Sequence, residues 1–314
     1  MLPVFLNVAP IFILIFLGWI IAKANVLQAS AADVFGAFVF KFALPILVFR
    51  TLSTADFDDA SPFALWSAYF LGVVFTWTVA HLIATRAFRL DIKMGVVSGL
   101  SASFANNVFI GIPLVNHIVG DEGLVAISIL LAVHLPLMML AGTVLMERAA
   151  AKADGVAMGG LGTIARQVVV NLARNPLVLG LVLGTFFSLL EWKLPPVIAP
   201  VTDQLAQAAS PLALLSIGMT LSRYQIRGEL GLTSTMAMLK LLLLPASILI
   251  TSHWLNLSHD WIMALVLTSS VPTGVNAWLI AQHFNTGQRL TAAVIGMTTV
   301  LGVVSVSLWA WVLG

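Results

Sequence analysis

Two short polar stretches interrupt an otherwise oily sequence, and they hold most of the side chains fit to recognise a ligand. The first runs from Ser101 to Pro113 and carries Asn106, Asn107 and Gly111. The second runs from Thr268 to Asn276 and carries Ser269, Ser270, Pro272, Thr273 and Gly274. Proline lacks a backbone donor and collides with the carbonyl four residues back, so each stretch is expected to break a helix. Where a helix resumes after a break, its first N–H groups are unpaired and its end carries partial positive charge. Such an end is a ready anion site. Asparagine amides add donors there without the cost of a buried charge. Pro113 suits the first turn of a resuming helix, where its missing donor costs nothing. The candidate substrate-binding residues are therefore Asn106, Asn107, Pro113, Pro272, Thr273, Gly274 and Asn276. The plainer alternative is a pair of kinked helices whose asparagines hydrogen-bond to neighbouring helices.

The spacing of the two stretches points to how they are positioned. Asn106 lies 166 residues before Pro272, and the same offset pairs Pro10 with Pro176, Pro45 with Pro211 and Gly18 with Gly184. Broken helices at matching places in two halves mark the substrate site of many secondary transporters. Hydrophobic residues make up 60% of the 314 and charged residues only 9%, against about 25% charged in a soluble domain. A membrane span needs roughly 20 apolar residues. Ten segments qualify: 3–22, 33–52, 63–86, 93–116, 122–146, 168–190, 197–221, 231–253, 260–283 and 290–313. The polar stretch 147–167 separates five spans from five. An odd number of spans per half makes the halves enter the membrane in opposite directions. The expected fold is thus an all-α membrane protein of ten transmembrane helices, arranged as two inverted five-helix repeats with broken, crossing fourth and ninth helices.

Lys and Arg set the orientation. With the N-terminus outside, the inner side holds Lys23, Arg86, Arg89, Lys93, Arg148, Lys152, Arg166, Arg223, Arg227 and Arg289, and the outer side only Arg50 and Lys193. Asp56, Asp58, Asp59, Asp121, Glu122, Glu191 and Asp260 then lie outside, with an outer aromatic belt of Trp66, Trp192, Trp254, Trp261, Trp309 and Trp311. Both termini are expected outside an inner (cell) membrane. The first segment begins without a basic n-region and reads as a retained helix rather than a signal peptide.

Few charges fall within the spans. Lys41 lies near mid-depth and adds positive potential for an anion, which makes it a lesser member of the candidate site; Lys240 lies similarly deep, and its plain reading is snorkelling to the inner face. Arg50 is expected to snorkel outward. Asp203 is expected to pair with a cation or face a wet vestibule, and His134 to be a structural hydrogen-bonder or a titrating group. No carboxylate sits at the centre of either broken span, so a carboxylate proton relay is not visible. The absence of HExxH, GxSxG and Walker A patterns leaves nothing for an enzyme or an ATP-driven pump to rest on. The absence of cysteine excludes disulfides and Cys-based metal sites, and no metal site or cofactor is expected. The net charge of +2 is spread over loops, so nucleic acid is not a partner.

These residues resemble the auxin efflux carrier family across all ten spans. The resemblance is carried by Asn106 with Gly111-Ile112-Pro113-Leu114, by Arg174-Asn175-Pro176 and by Pro272-x-Gly274-Val275. Phe284-Asn285, Ala293-Val294-Ile295-x-Gly-Met297, Phe42-Ala43-Leu44-Pro45 and Ser216-Ile217-Gly218-Met219 add to it. Ala105 and Asn107 stand where the plant pattern has Pro and Thr, and the long cytoplasmic loop is absent; both departures look bacterial. The resemblance implies a scaffold of residues 1–52 and 168–222 and a mobile transport domain of residues 53–147 and 223–314, linked through a cytoplasmic 148–167. It implies a carboxylate bound at the crossover and a homodimer formed through the scaffold. The expected activity is secondary transport of a small organic anion, such as malonate, malate or an auxin-like acid, by an elevator motion, with lipid around it. A sodium-coupled symporter of the bile-acid carrier type and a non-transporting ligand sensor are the alternatives. The coupling ion, proton or sodium, stays open.

Overall fold

The computed structural model describes residues 2–28, 30–55, 61–154, 170, 174–223 and 230–314. Regular structure there is helical, apart from one isolated bridge pair. In chain order the helices are α1 (Leu2–Lys23), α2 (Ala31–Phe38), α3 (Leu44–Ser53), α4 (Pro62–Leu82), α5 (Ile92–Ser103), α6 (Ile112–Ile118) and α7 (Asp121–Asp154). There follow α8 (Pro176–Leu189), α9 (Ala199–Leu221), α10 (Leu230–Met238), α11 (Leu244–Trp254), α12 (His259–Ser270), α13 (Val275–His283) and α14 (Gln288–Leu313). Six helical stretches are long and apolar enough to cross a membrane: Phe5–Lys23, Ala31–Ser53, Pro62–Ala87, Asp121–Lys152, Leu230–Trp254 and Gln288–Leu313. Asn107–Ile118 and Pro176–Leu189 are apolar but shorter.

Of the four wide π-helical turns among the described residues, three share one cause, the exception being Ile83–Ala87. Val39–Ala43, Asn107–Gly111 and Leu239–Leu243 each end just before a residue–proline pair: Leu44-Pro45, Ile112-Pro113 and Leu244-Pro245. Each proline withholds the donor that would close the preceding turn, and the helix widens to absorb the clash. The carbonyl freed four residues before Pro245 is that of Leu241. It accepts from Ser305 Oγ at 2.9 Å and from Trp309 Nε1 at 2.9 Å. Trp309 is thereby buried, as is Trp261. Trp192, Trp254 and Trp311 are exposed and Trp66 is half-buried, whereas Trp309 and Trp261, expected in the outer belt, lie in the interior.

Glycine sets the closest helix pairs. A Cβ on Gly18 would strike the backbone of Leu215, and one on Gly218 would strike that of Ile15, so α1 and α9 touch backbone to backbone. Gly180 and Gly184 do the same against Pro45 and Phe49, which joins α8 to α3. Between helices the chain turns on left-handed residues. Asn25 and Glu191 (φ 53° each) are 166 residues apart. Arg89 (φ 54°) and Asn256 (φ 53°) are 167 apart, as are Gly120 (φ 82°) and Gly287 (φ 67°). Asn285 (φ 49°) has no such mate among the described residues.

Helix α7 runs past the expected end of its span to Asp154, because Ala149, Ala150 and Ala151 favour helix in the first residues of the polar stretch read at 147–167. Arg166, Arg227 and the acids Asp56, Asp58 and Asp59 lie outside the described residues.

Candidate functional site

Both polar stretches break their helices, and the breaks touch. Asp91 caps the start of α5 by accepting from the Met94 N–H at 2.7 Å. Near the helix end, Ser101 and Ser103 donate to Val97 O and Gly99 O at 2.8 and 2.7 Å, back-bonds that compete with the backbone ladder. Phe104 is extended (ψ 100°), and Asn106 (φ −80°, ψ 63°) caps the π turn that leads into α6. Its amide oxygen accepts from the Phe109 N–H at 3.4 Å. Pro113 falls in the first turn of α6. The second break copies this design. Ser269 and Ser270 donate to Val266 O and Leu267 O, both at 2.8 Å. Val271 is extended (ψ 163°), and α13 resumes after Gly274 (ψ 142°).

Where they meet, the extended segments pair antiparallel through Ala105 and Thr273. The Asn106 N–H donates to Pro272 O at 3.0 Å, and the Gly274 N–H to Phe104 O at 2.7 Å. A Cβ at Gly274 would stand 3.0 Å from Ala105 O, so glycine is what lets the strands approach. Thr273 is committed to the joint: its hydroxyl donates to Ser101 O at 2.7 Å, and its N–H to Thr298 Oγ1 at 3.1 Å. The first N–H groups of the resuming helices, at Asn107, Val108, Val275 and Asn276, have no intrahelical partner.

The two adjacent asparagines face different surroundings. Asn107 is buried and donates to Tyr69 Oη at 3.0 Å, while Thr268 Oγ1 donates to its amide oxygen at 3.2 Å. Tyr69 Oη lies 3.5 Å from His134 Nε2, whose ring meets Tyr69 and Phe104 edge-on. His134, Tyr69, Asn107 and Thr268 thus form one interior chain of polar groups. By contrast, among the described residues no protein atom takes the two N–H donors of the Asn106 amide, and none pairs with the Asn276 amide, half-buried in the first turn of α13. These two amides and the open helix ends are the unspent donors of the crossover.

The structure therefore brings Asn106, Pro272, Thr273 and Gly274 together at the joint, with Asn107, Pro113 and Asn276 in the turns that resume from it. Lys41 is not part of it: it is exposed on the π turn after α2, which packs against α8 and α9. Lys240 overturns the snorkelling expectation. It is fully buried, and its Nζ donates to Ser269 O and Val271 O, each at 2.6 Å. Asp203 pairs with Arg50 across α9 and α3, both about two-fifths exposed at 39% and 43%, so Arg50 is anchored rather than free. Arg223 makes a two-pronged pair with Asp33 at 2.9 and 3.0 Å, tying α9 to α2. Sequence reasoning missed Tyr69. The signal was there: it is one of two tyrosines, and a phenol in an apolar span needs a partner. An apolar cleft between α4 and α7, lined by Phe70, Val73, Trp77 and Met138 among others, carries no charged side chain. Among the described residues no three His, Asp or Glu side chains gather as a metal site.

The sequence matches the membrane transport protein family over residues 3–310. A Rhizobium meliloti protein named "Putative malonate transporter" is 27% identical over 304 residues, covering 96% of this chain and 92% of that one. An uncharacterized transporter of Methanothermobacter thermautotrophicus is 28% identical over 311 residues, covering 98% and 97%. The Escherichia coli K12 uncharacterized transporter YfdV is 25% identical over 319 residues, covering 98% and 96%. With its match running almost end to end, the chain belongs to the membrane transport protein family, that of the auxin efflux carriers, and is a membrane transporter rather than an enzyme.

Proposed function

We propose that this transporter carries a small organic anion, a mono- or dicarboxylate of the malonate or malate class, bound at the crossed helix breaks. One observation carries the reading: two helices resume from the joint between residues 104–106 and 272–274, and the amide donors of Asn106 and Asn276 beside their first turns have no partner among the described residues. A carboxylate accepts such donors and is favoured by the positive ends of both half-helices. In this reading Asn106 and Asn276 hold the anion, with backbone N–H groups beside them. Pro113, Pro272 and Gly274 shape the backbone, and Asn107 and Thr273 brace it. The malonate assignment of a relative at 27% identity fits the same chemistry.

The architecture proposed is ten spans in two inverted halves. Support comes from the left-handed turns spaced by 166 or 167 residues, and from the contact between Asn106 and Pro272, themselves 166 apart. An elevator motion is supported by the seam over the crossover. There Val8, Ile11 and Ile15 of α1 and Leu214 and Ile217 of α9 pack on Ala105, Ile110 and Val271 with apolar contacts, a surface that can slide without stranding polar groups. The scaffold would be α1–α3 with α8 and α9, paired into a homodimer in the cell membrane with both termini outside.

The test is flux. Purified protein in sealed proteoliposomes, given radiolabelled malonate outside, accumulates label until the gradient is spent, and unlabelled malate competes. Binding without accumulation would end the transport reading for this substrate class.

A further inference from the structure

Lys240 is the one Lys, Arg, Asp or Glu fully buried among the described residues. Unlike Arg50 and Arg223, it has no carboxylate partner there. Burying an unpaired ammonium costs several kcal/mol unless its donors are satisfied, and intramembrane cations of this kind mark function by default. Its partners are backbone carbonyls, those of Ser269 and Val271, both at 2.6 Å. Ser269 lies at the C-terminal end of half-helix α12, where carbonyls lack intrahelical donors and the dipole is negative. Val271 lies in the break itself. Ser270 O between them is approached by Ser305 Oγ at 3.5 Å. The other broken helix closes its end without charge: Thr273 Oγ1 takes Ser101 O, and the Gly274 N–H takes Phe104 O. The position 166 residues before Lys240 is Val74, so the feature belongs to one half only.

A cluster of outward-turned carbonyls at a helix break is the ligand type that hard cations such as sodium accept. We infer that the Lys240 ammonium is a tethered cation occupying a carbonyl site at the end of α12, so that the crossover is held together without a dissociable metal ion. The π turn Leu239–Leu243 serves this purpose. It is set by Pro245 and fixed by Ser305 and Trp309 on Leu241 O, and it carries Lys240 into the break. Lys240 is a positioning residue: it holds the second break in shape for whatever binds between Asn106 and Asn276. The inference concerns the integrity of the break and does not depend on malonate being the cargo.

The experiment is a melting curve of the detergent-purified chain in sodium, potassium or N-methylglucamine chloride at equal ionic strength. The wild type is expected to melt at one temperature in all three. Lys240→Ala, which vacates the carbonyls, is expected to melt lower in N-methylglucamine and to recover by roughly 3 °C or more as sodium rises. Lys240→Arg, which keeps a cation, is expected to show no sodium response. A sodium-dependent rise in the wild type overturns the inference outright, even if no variant folds. A folded Lys240→Ala whose melting ignores sodium and potassium overturns it as well. Malonate uptake by wild-type vesicles at the same rate in sodium and in N-methylglucamine is the transport counterpart. Absence of uptake in both would count against the proposed substrate, while the melting curves would still decide the role of Lys240.

Discussion

Asn106 and Asn107 are neighbours of identical chemistry, and alanine at each is expected to fail in a different assay. Asn106→Ala removes one cap bond, long at 3.4 Å, worth about 0.5–1 kcal/mol of stability. It also removes the amide donors offered to the anion. Hydrogen bonds to a charged group are worth about 1.5–3 kcal/mol, which translates to a roughly 10- to 150-fold loss in malonate affinity. Asn107→Ala removes two buried bonds, at 3.0 and 3.2 Å, and strips the Tyr69 and Thr268 hydroxyls of a partner. At about 1–3 kcal/mol per stranded group, the loss of stability for the two is roughly 2–6 kcal/mol. Melting of the purified variants and malonate titration of each separate the two effects. The expected result is a near-normal melt with weak binding for Asn106→Ala, and a depressed melt for Asn107→Ala with affinity largely kept in whatever fraction stays folded. The opposite order, Asn106→Ala melting early while binding normally, would falsify the division of labour between them.

Three further outcomes follow from the packing and the charge pattern. Gly218→Ala places a methyl against the Ile15 backbone, which cannot yield as a side chain can. It is expected to cost about 1–3 kcal/mol, read as a lowered melt, whereas Gly231→Ala, with only Phe88 ring atoms at 3.6 and 4.0 Å, should not. The Arg50–Asp203 pair is partly exposed, so a double-mutant cycle with Arg50→Gln and Asp203→Asn is expected to yield a coupling of no more than about 1 kcal/mol. The chain has no cysteine, so single exposed substitutions report sidedness cleanly. In intact cells an impermeant maleimide is expected to label Ser258→Cys and to spare Ser30→Cys; the reverse pattern would invert the proposed topology.

The breaks were legible in the sequence because their causes are local. Proline, serine and asparagine disturb a helix through bonds to their own backbone and near neighbours, whatever surrounds them. What those side chains then face was not legible. Asn106 and Asn107 differ by one step around the break, and only the packing of α4 decides that Tyr69 meets the second and not the first. Lys240 teaches the same point. Depth along the span placed it mid-membrane, but only the tertiary arrangement shows whether a long side chain turns toward water or toward carbonyls loosened by a neighbouring helix. Trp309 resembled an interfacial anchor by position, yet it is claimed by a carbonyl that Pro245, 64 residues earlier, leaves open. Local chemistry is written residue by residue, and partners across the bundle are not.

The short antiparallel joint between residues 104–106 and 272–274 has a mechanical consequence. Its two backbone bonds, 2.7 and 3.0 Å long, are shut away from water, so nothing stands ready to replace them if the strands part. The broken helices are therefore riveted at their midpoints. Any displacement that carries a guest from one face of the bilayer to the other has to carry both together, with the hinge placed elsewhere in the bundle.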